Sequence, residues 1–218
     1  MIRKLIKIFD PILKWFFQRY YSKPRKYRYQ NIEVIVYPEV FPPHFTISTK
    51  LLLDYINSID LKGKKVLELG CGSGIISLLA ASKGALVTAS DINKTSLEAL
   101  EKASIKNTLP VQIINSNLFD KLHEKLFDYI IINPPYYPKA PKNDKQHAWF
   151  CGENFEYFEK LFEQLPCYTE YSEVLMILSE DCDLGKISTI AQQYALKFKK
   201  VFEKKVMTET NYIFKVYN

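Results

Sequence analysis

Asn133-Pro134-Pro135-Tyr136 places a side-chain amide, two ring-constrained residues and an aromatic ring in four consecutive positions. A nitrogen attached to a planar group is a poor nucleophile, because its lone pair is delocalised into the adjoining π-system. The Asn133 side-chain oxygen and the Pro134 backbone carbonyl can each accept one N–H bond from such a nitrogen. That arrangement steers the lone pair towards an electrophile as the nitrogen becomes tetrahedral. Pro135 restricts Pro134 to extended backbone and so holds its carbonyl in place, and Tyr136 can stack on a planar acceptor. These four are the candidate catalytic residues. A chain-reversing loop after a strand could use the same prolines, so the reading depends on what lies upstream.

Upstream, Gly70-Cys71-Gly72-Ser73-Gly74 joins a predicted strand to a predicted helix. Missing β-carbons there let the backbone turn sharply and approach a ligand closely. Asp91 lies 21 residues beyond Gly70, at the end of the next predicted strand, where an acid can hydrogen-bond ribose hydroxyls. The third glycine comes one position too early for a dinucleotide GxGxxG, with Ile75 in the sixth place, and no GxxxxGK[ST] occurs. Both points count against NAD and P-loop nucleotides.

Glu68-Leu69-Gly70-Cys71-Gly72-Ser73-Gly74 resembles motif I of the class I S-adenosylmethionine-dependent methyltransferases. The resemblance implies that Gly70, Gly72 and Gly74 contact the methionine part of that cofactor and that Glu68 lies near the sulfonium. It puts Asp91 on the ribose and Ile92 beside adenine. Asn117, before Leu118, occupies the place where the family commonly carries an aspartate that accepts from the adenine amino group. An amide oxygen can accept the same bond, and Asn115 is the alternative. Cys71 is expected to line the cofactor pocket, and Asn133 completes the cofactor-binding set.

The tetrapeptide is similar to the N-P-P-Y motif of amino methyltransferases. These include the HemK/PrmC protein-glutamine enzymes, N6-adenine enzymes and N2-guanine ribosomal RNA enzymes. Val36-Tyr37-Pro38 followed by Thr49-Lys50-Leu51-Leu52-Leu53-Asp54 resembles the lead-in segment of the short HemK-type enzymes that methylate a release-factor glutamine. Ala148-Trp149-Phe150-Cys151-Gly152-Glu153-Asn154 resembles their A-W-x-G-G segment, with Cys151 in place of a glycine. The acidic pair of that lead-in has no counterpart in PEVFPPHFTIST, which also resembles the lead-in of the guanine enzymes. The implied acceptor is a protein glutamine, as in a translation release factor, with an RNA or DNA base amino group as the alternative.

The elements that must position these residues alternate. Strands are predicted at Ile32 to Val36, KKVLELG, ALVTASD, VQIINSN, FDYIIINPP and EVLMILSE. Helices are predicted at about Thr49 to Ser58, IISLLAASKG, KTSLEALEKASIKN, NFEYFEKLFEQL and about Lys186 to Lys197. Such alternation predicts an α/β fold with a Rossmann-like, doubly wound, mostly parallel sheet. KKVFEKKVM and NYIFKVY, separated by Thr208-Glu209-Thr210, predict an antiparallel C-terminal hairpin at its edge, which with the five strands from KKVLELG to EVLMILSE makes a seven-stranded sheet.

At 218 residues the chain fits one compact domain with an appendage. Residues 1–30 carry nine Lys or Arg against Asp10 alone, a charge of +8 against −2 for the remainder. This basic, aromatic arm is set apart from a domain at 31–218. Its Ile2, Leu5, Ile6, Phe9, Leu13 and Phe16 fit a helix packed on that domain. Arg25-Lys26-Tyr27-Arg28-Tyr29 could contact phosphates and stack on bases, and a membrane-surface helix is a third option that Pro11 interrupts. No apolar run is long enough to span a bilayer, and the start has no signal-peptide core. Cys71, Cys151, Cys167 and Cys182 form no CxxC pair, and His44, His123 and His147 show no metal-ligand spacing. A cytoplasmic monomer with reduced thiols and no metal is expected. His44 and His147 are expected at the substrate rim or in structural roles.

Overall fold

The computed structural model describes residues 19–20, 22–44, 46–123, 126–206 and 209–218. The arm positions from Ile2 to Phe16 that suggested an amphipathic helix lie outside them.

A seven-stranded sheet forms the centre, in the order β5-β4-β3-β6-β7-β9-β8. Its strands are β3 (Lys65–Leu69), β4 (Leu86–Asp91), β5 (Gln112–Asn115), β6 (Tyr129–Ile132), β7 (Glu173–Ser179), β8 (Lys197–Val206) and β9 (Glu209–Tyr217). Strands β3 to β7 pair in parallel. β9 runs antiparallel to β7 and to β8, so the expected C-terminal hairpin closes the edge. It begins earlier than the sequence suggests. Lys197 already pairs with Tyr217, and Glu209 and Thr210 belong to β9 rather than to a turn.

The parallel strands read as nearly continuous apolar runs because both faces are covered. Val66, Ile131, Leu175 and Ile177 point into one core cluster, while Leu67, Leu69, Ile130, Ile132, Val174 and Met176 point into the other. Helices α1 (Ile47–Ser58), α2 (Ile75–Ser82) and α3 (Lys94–Asn107) supply the first layer. A short helical turn, α4 (Asp144–His147), precedes the elements of the second layer. These are α5 (Glu156–Gln164), α6 (Pro166–Thr169) and α7 (Leu184–Gln193). On α5, Phe158, Leu161 and Phe162 are fully buried, the stripe that the i, i+3, i+4 spacing demands. Helix α7 starts at Leu184, before the expected Lys186, because Asp183 caps it by accepting from the Lys186 N–H at 2.9 Å. It stops at Gln193, since Ala195 takes a left-handed φ of 60° that turns the chain into β8.

A second, two-stranded sheet pairs β1 (Arg25–Tyr29) with β2 (Ile32–Val36) in antiparallel register. The boundary expected at residue 30 falls on the turn of this hairpin, so Arg25 to Tyr29 are paired with the strand that follows. Asn107, at the end of α3, clamps β2 by accepting from the Glu33 N–H (3.1 Å) and donating to the Glu33 carbonyl (2.9 Å). Among the described residues no helix is long and apolar enough to cross a membrane.

Candidate active site

All the candidate residues sit at or just beyond the carboxyl ends of parallel strands: Gly70 after β3, Asp91 ending β4, Asn117 after β5 and Asn133 after β6. In an open α/β sheet this is the edge that binds ligands. A cavity of about 530 Å³ opens there, lined by Glu68, Gly70, Cys71, Gly72, Asp91, Ile92, Asn117, Leu118, Asn133, Pro134 and Pro135.

The glycine loop folds around Ser90, whose carbonyl accepts from the Gly70 and Cys71 N–H groups at 2.9 Å each. At Gly70 (φ 76°) a β-carbon would meet no protein atom within 4 Å, and at Gly72 only Val40 Cγ1 at 3.8 Å. The loop therefore leaves open space against its backbone for a ligand. Asp91 braces it: Oδ2 accepts from the Gly72 N–H and Oδ1 from the Asn93 N–H, both at 2.8 Å. Burial raises the Asp91 pKa, and those N–H bonds oppose the rise. Asn93 in turn caps α3 and donates to the Glu39 carbonyl at 3.2 Å, tying the loop after β2 to the cavity wall.

Glu68 is buried beneath α2 and accepts from the backbone N–H of Ser77 at 2.8 Å and from the Ser77 hydroxyl. Burial pushes its carboxyl up to about 8, with the charge of Asp91 adding to the rise. Asn115 donates to the backbone carbonyls of Asp91 and Ile92 at 3.0 Å each and does not line the cavity, whereas Asn117 does. Ile92 is 47% exposed at the rim.

Two expected residues lie apart from the cavity wall. Gly74 starts α2 at φ 71°, and a β-carbon there would sit 2.4 Å from Leu100 Cδ1. Its glycine is demanded by helix packing. Tyr136 packs beside Tyr137, ring centroids 4.7 Å apart, and against the second core cluster. The segment after the tetrapeptide is pinned beside it, with Tyr137 donating to the Trp149 carbonyl (3.1 Å) and Cys151 donating back to Tyr137 (3.0 Å). The Phe41 and Trp149 rings meet at 4.6 Å, joining the loop after β2 to that segment.

The family model for the methyltransferase small domain matches residues 31–151. The chain belongs to this family. It is a methyltransferase with a Rossmann-like fold. A Methanocaldococcus jannaschii protein, provisionally named a protein N5-glutamine methyltransferase, is 32% identical over 78% of this chain and 86% of its own length. Ribosomal RNA small subunit methyltransferase C of Actinobacillus pleuropneumoniae is 34% identical over 52% of this chain and 35% of its own, so the methyltransferase spans about a third of that relative. Among solved structures, a chain of the E. cuniculi complex responsible for methylating the eRF1 translation termination factor superposes with a TM-score of 0.62. It is 19% identical, over 83% of this chain and 99% of that one. A Thermus thermophilus 16S rRNA N2 methyltransferase in complex with AdoMet and guanosine gives 0.58 at 20% identity, over 88% and 50%. These two are likenesses of fold.

Sequence reasoning missed Thr49, Tyr157 and Phe150, which also line the cavity of the methyltransferase. Thr49 stood in a segment already singled out, but nothing in its type marked it. Tyr157 lies on a helix whose apolar spacing draws attention to Phe158, Leu161 and Phe162 instead; its hydroxyl pKa is raised, first by burial and then by Asp91. His147 lines the cavity as a rim residue, while His44 packs edge-on against Tyr27 at 5.1 Å.

Two stability predictions follow from this geometry. Gly74→Ala forces a side chain into left-handed backbone and onto Leu100, and should cost about 2–4 kcal/mol in thermal or denaturant unfolding. A fully stable variant would contradict the packing described. Glu68 has a folded pKa of about 8 against an ordinary 4.5. Between those values the folded chain holds a proton that the unfolded chain releases, so stability falls as pH rises through that window. At its steepest this single group costs about 1.4 kcal/mol per pH unit. The melting temperature of ligand-free protein should fall from about pH 5 to about pH 8, and Glu68→Gln should flatten the fall. An identical slope in both proteins would remove Glu68 as its cause.

Proposed function

We propose that this methyltransferase moves the methyl group of S-adenosylmethionine to a planar amide or amino nitrogen, and that the acceptor is a protein glutamine of the release-factor type. The observation that carries the reading is that Asn133 and Pro134 line the same cavity as Gly70, Gly72 and Asp91. One opening thus holds a cradle for a cofactor and two acceptor oxygens for a reacting N–H group. The glutamine assignment is supported by the relative matched along most of both chains.

The cavity fits the cofactor by chemistry. The open space against its glycine backbone suits the methionine part, the buried carboxyl of Asp91 accepts from ribose hydroxyls, and Glu68, beneath α2, lies on the sulfonium side. Asn117 offers an amide oxygen to an adenine amino group, and Ile92 and Leu118 offer apolar surface to its ring. When bound, the cofactor supplies a methyl group activated by positive sulfur.

The protein supplies orientation. Asn133 Oδ1 and the Pro134 carbonyl accept the acceptor's two N–H bonds and turn its lone pair out of conjugation towards the methyl. Pro135 keeps Pro134 extended. Tyr136, packed behind Tyr137, supports the acceptor side. The proton leaves to water once the nitrogen has become cationic, so no strong base is required. Residues 31–218 are the catalytic domain in this reading, with β1 of the basic arm paired to it.

A second reading, an RNA base amino acceptor, is favoured by the exposed Lys139, Lys142 and Lys145 that follow the tetrapeptide directly. Incubating the enzyme with methyl-labelled cofactor and cell extract separates the two. Label surviving nuclease and lost to protease supports the glutamine reading, and the opposite pattern replaces it with the RNA reading. In the second case, neutralising Arg25, Lys26 and Arg28 should weaken RNA binding and flatten its salt dependence.

A further inference from the structure

Asn133 works as an acceptor only if its oxygen, and not its NH2 group, faces the reacting nitrogen. An asparagine side chain can take either orientation, so its neighbours must decide. Its Nδ2 lies 3.4 Å from Thr49 Oγ1. Thr49 is buried in the first turn of α1, and its Oγ1 lies 3.0 Å from Thr46 Oγ1. Thr46 Oγ1 is in turn 3.2 Å from the backbone carbonyl of Pro42.

Only one set of protons makes all three contacts hydrogen bonds at once. A carbonyl only accepts, and a hydroxyl has a single proton to give. The Thr46 proton is committed to the Pro42 carbonyl, and the Thr49 proton to Thr46. What remains on Thr49 facing Asn133 is a lone pair, which requires an N–H opposite it. Among the described residues nothing donates to Asn133 Oδ1, and Asn133 lines the cavity.

From this geometry we infer that Thr49, backed by Thr46 and the Pro42 carbonyl, is a positioning residue that sets the amide orientation of Asn133 and presents its oxygen to the acceptor. The inference rests on the role given to Asn133 above. It also gives the segment between β2 and α1 a part in the chemistry, because the relay starts from a backbone carbonyl in that segment.

The test is kinetic. Methyl incorporation into extract is measured at saturating cofactor, and cofactor affinity is measured separately by titration with S-adenosylhomocysteine. Thr49→Val keeps the shape and removes the relay. It should lower turnover about tenfold to a hundredfold with affinity unchanged, and Thr49→Ser should restore turnover to within about threefold. Thr46→Val, which leaves Thr49 in place, should lower turnover in the same direction and provides the test should Thr49→Val fail to fold. In an Asn133→Ala background, Thr49→Val should have no further effect, since the group it orients is gone.

Normal turnover in Thr49→Val, a loss of affinity alone, or an undiminished effect on top of Asn133→Ala would each overturn the relay. If Asn133→Ala alone keeps full activity, the role of the tetrapeptide falls and the relay with it. If Asn133→Ala is inactive while Thr49→Val and Thr46→Val are normal, only the relay falls.

Discussion

Asn133→Ala is expected to lower turnover by roughly 10²–10³-fold while leaving S-adenosylhomocysteine affinity within about threefold of the parent. The expectation comes from what the side chain does at each stage. Its oxygen accepts a bond that strengthens as the acceptor nitrogen becomes tetrahedral, so its loss raises the barrier more than it weakens binding. The Nδ2 contact to Thr49 is a single bond at 3.4 Å, too little to hold the cavity wall together. Steady-state rates with extract acceptor and calorimetry with S-adenosylhomocysteine check both halves. Equal losses of affinity and rate would make Asn133 a cofactor ligand and not an orienting acceptor.

Asp91→Ala should act on the other half of the site, weakening cofactor affinity by at least about 10²-fold. The carboxylate closes the glycine loop through Gly72 and the start of α3 through Asn93, both at 2.8 Å. Alanine strands those two N–H groups and removes the acceptor offered to ribose. Each hydrogen bond to a charged group is worth about 1.5–3 kcal/mol, so losing the bonds that the two ribose hydroxyls make to the carboxylate reaches the stated factor. Turnover at saturating cofactor should fall far less. Unchanged affinity would mean that the ribose is held elsewhere.

The site's strand ends were legible because the parallel sheet writes itself as short, nearly continuous apolar runs ending in glycine, Asp91 or Asn133. Tertiary detail decided the rest. Gly74 looked like its two neighbours in sequence, and only the approach of Leu100 separates its reason from theirs. Asn115 and Asn117 were equivalent until the end of β5 turned Asn115 back onto the Asp91 and Ile92 carbonyls. Strand β1 was hidden by its charge: Arg25, Lys26 and Arg28 mark a solvated arm, while the alternation that puts Tyr27 and Tyr29 against the core is only five residues long. Thr49 could not be found by residue type, since its importance lies in a bond across 84 positions of sequence.

The most direct measurement of the central claim identifies the atom that receives the methyl. Labelled acceptor from extract is digested and the modified residue is identified by mass spectrometry and by its hydrolysis products. The account predicts label on the side-chain amide nitrogen of glutamine, released as labelled methylamine by acid. Label on an exocyclic base nitrogen would keep the chemistry and change the substrate. Label on carbon, sulfur or an ester oxygen would contradict the account.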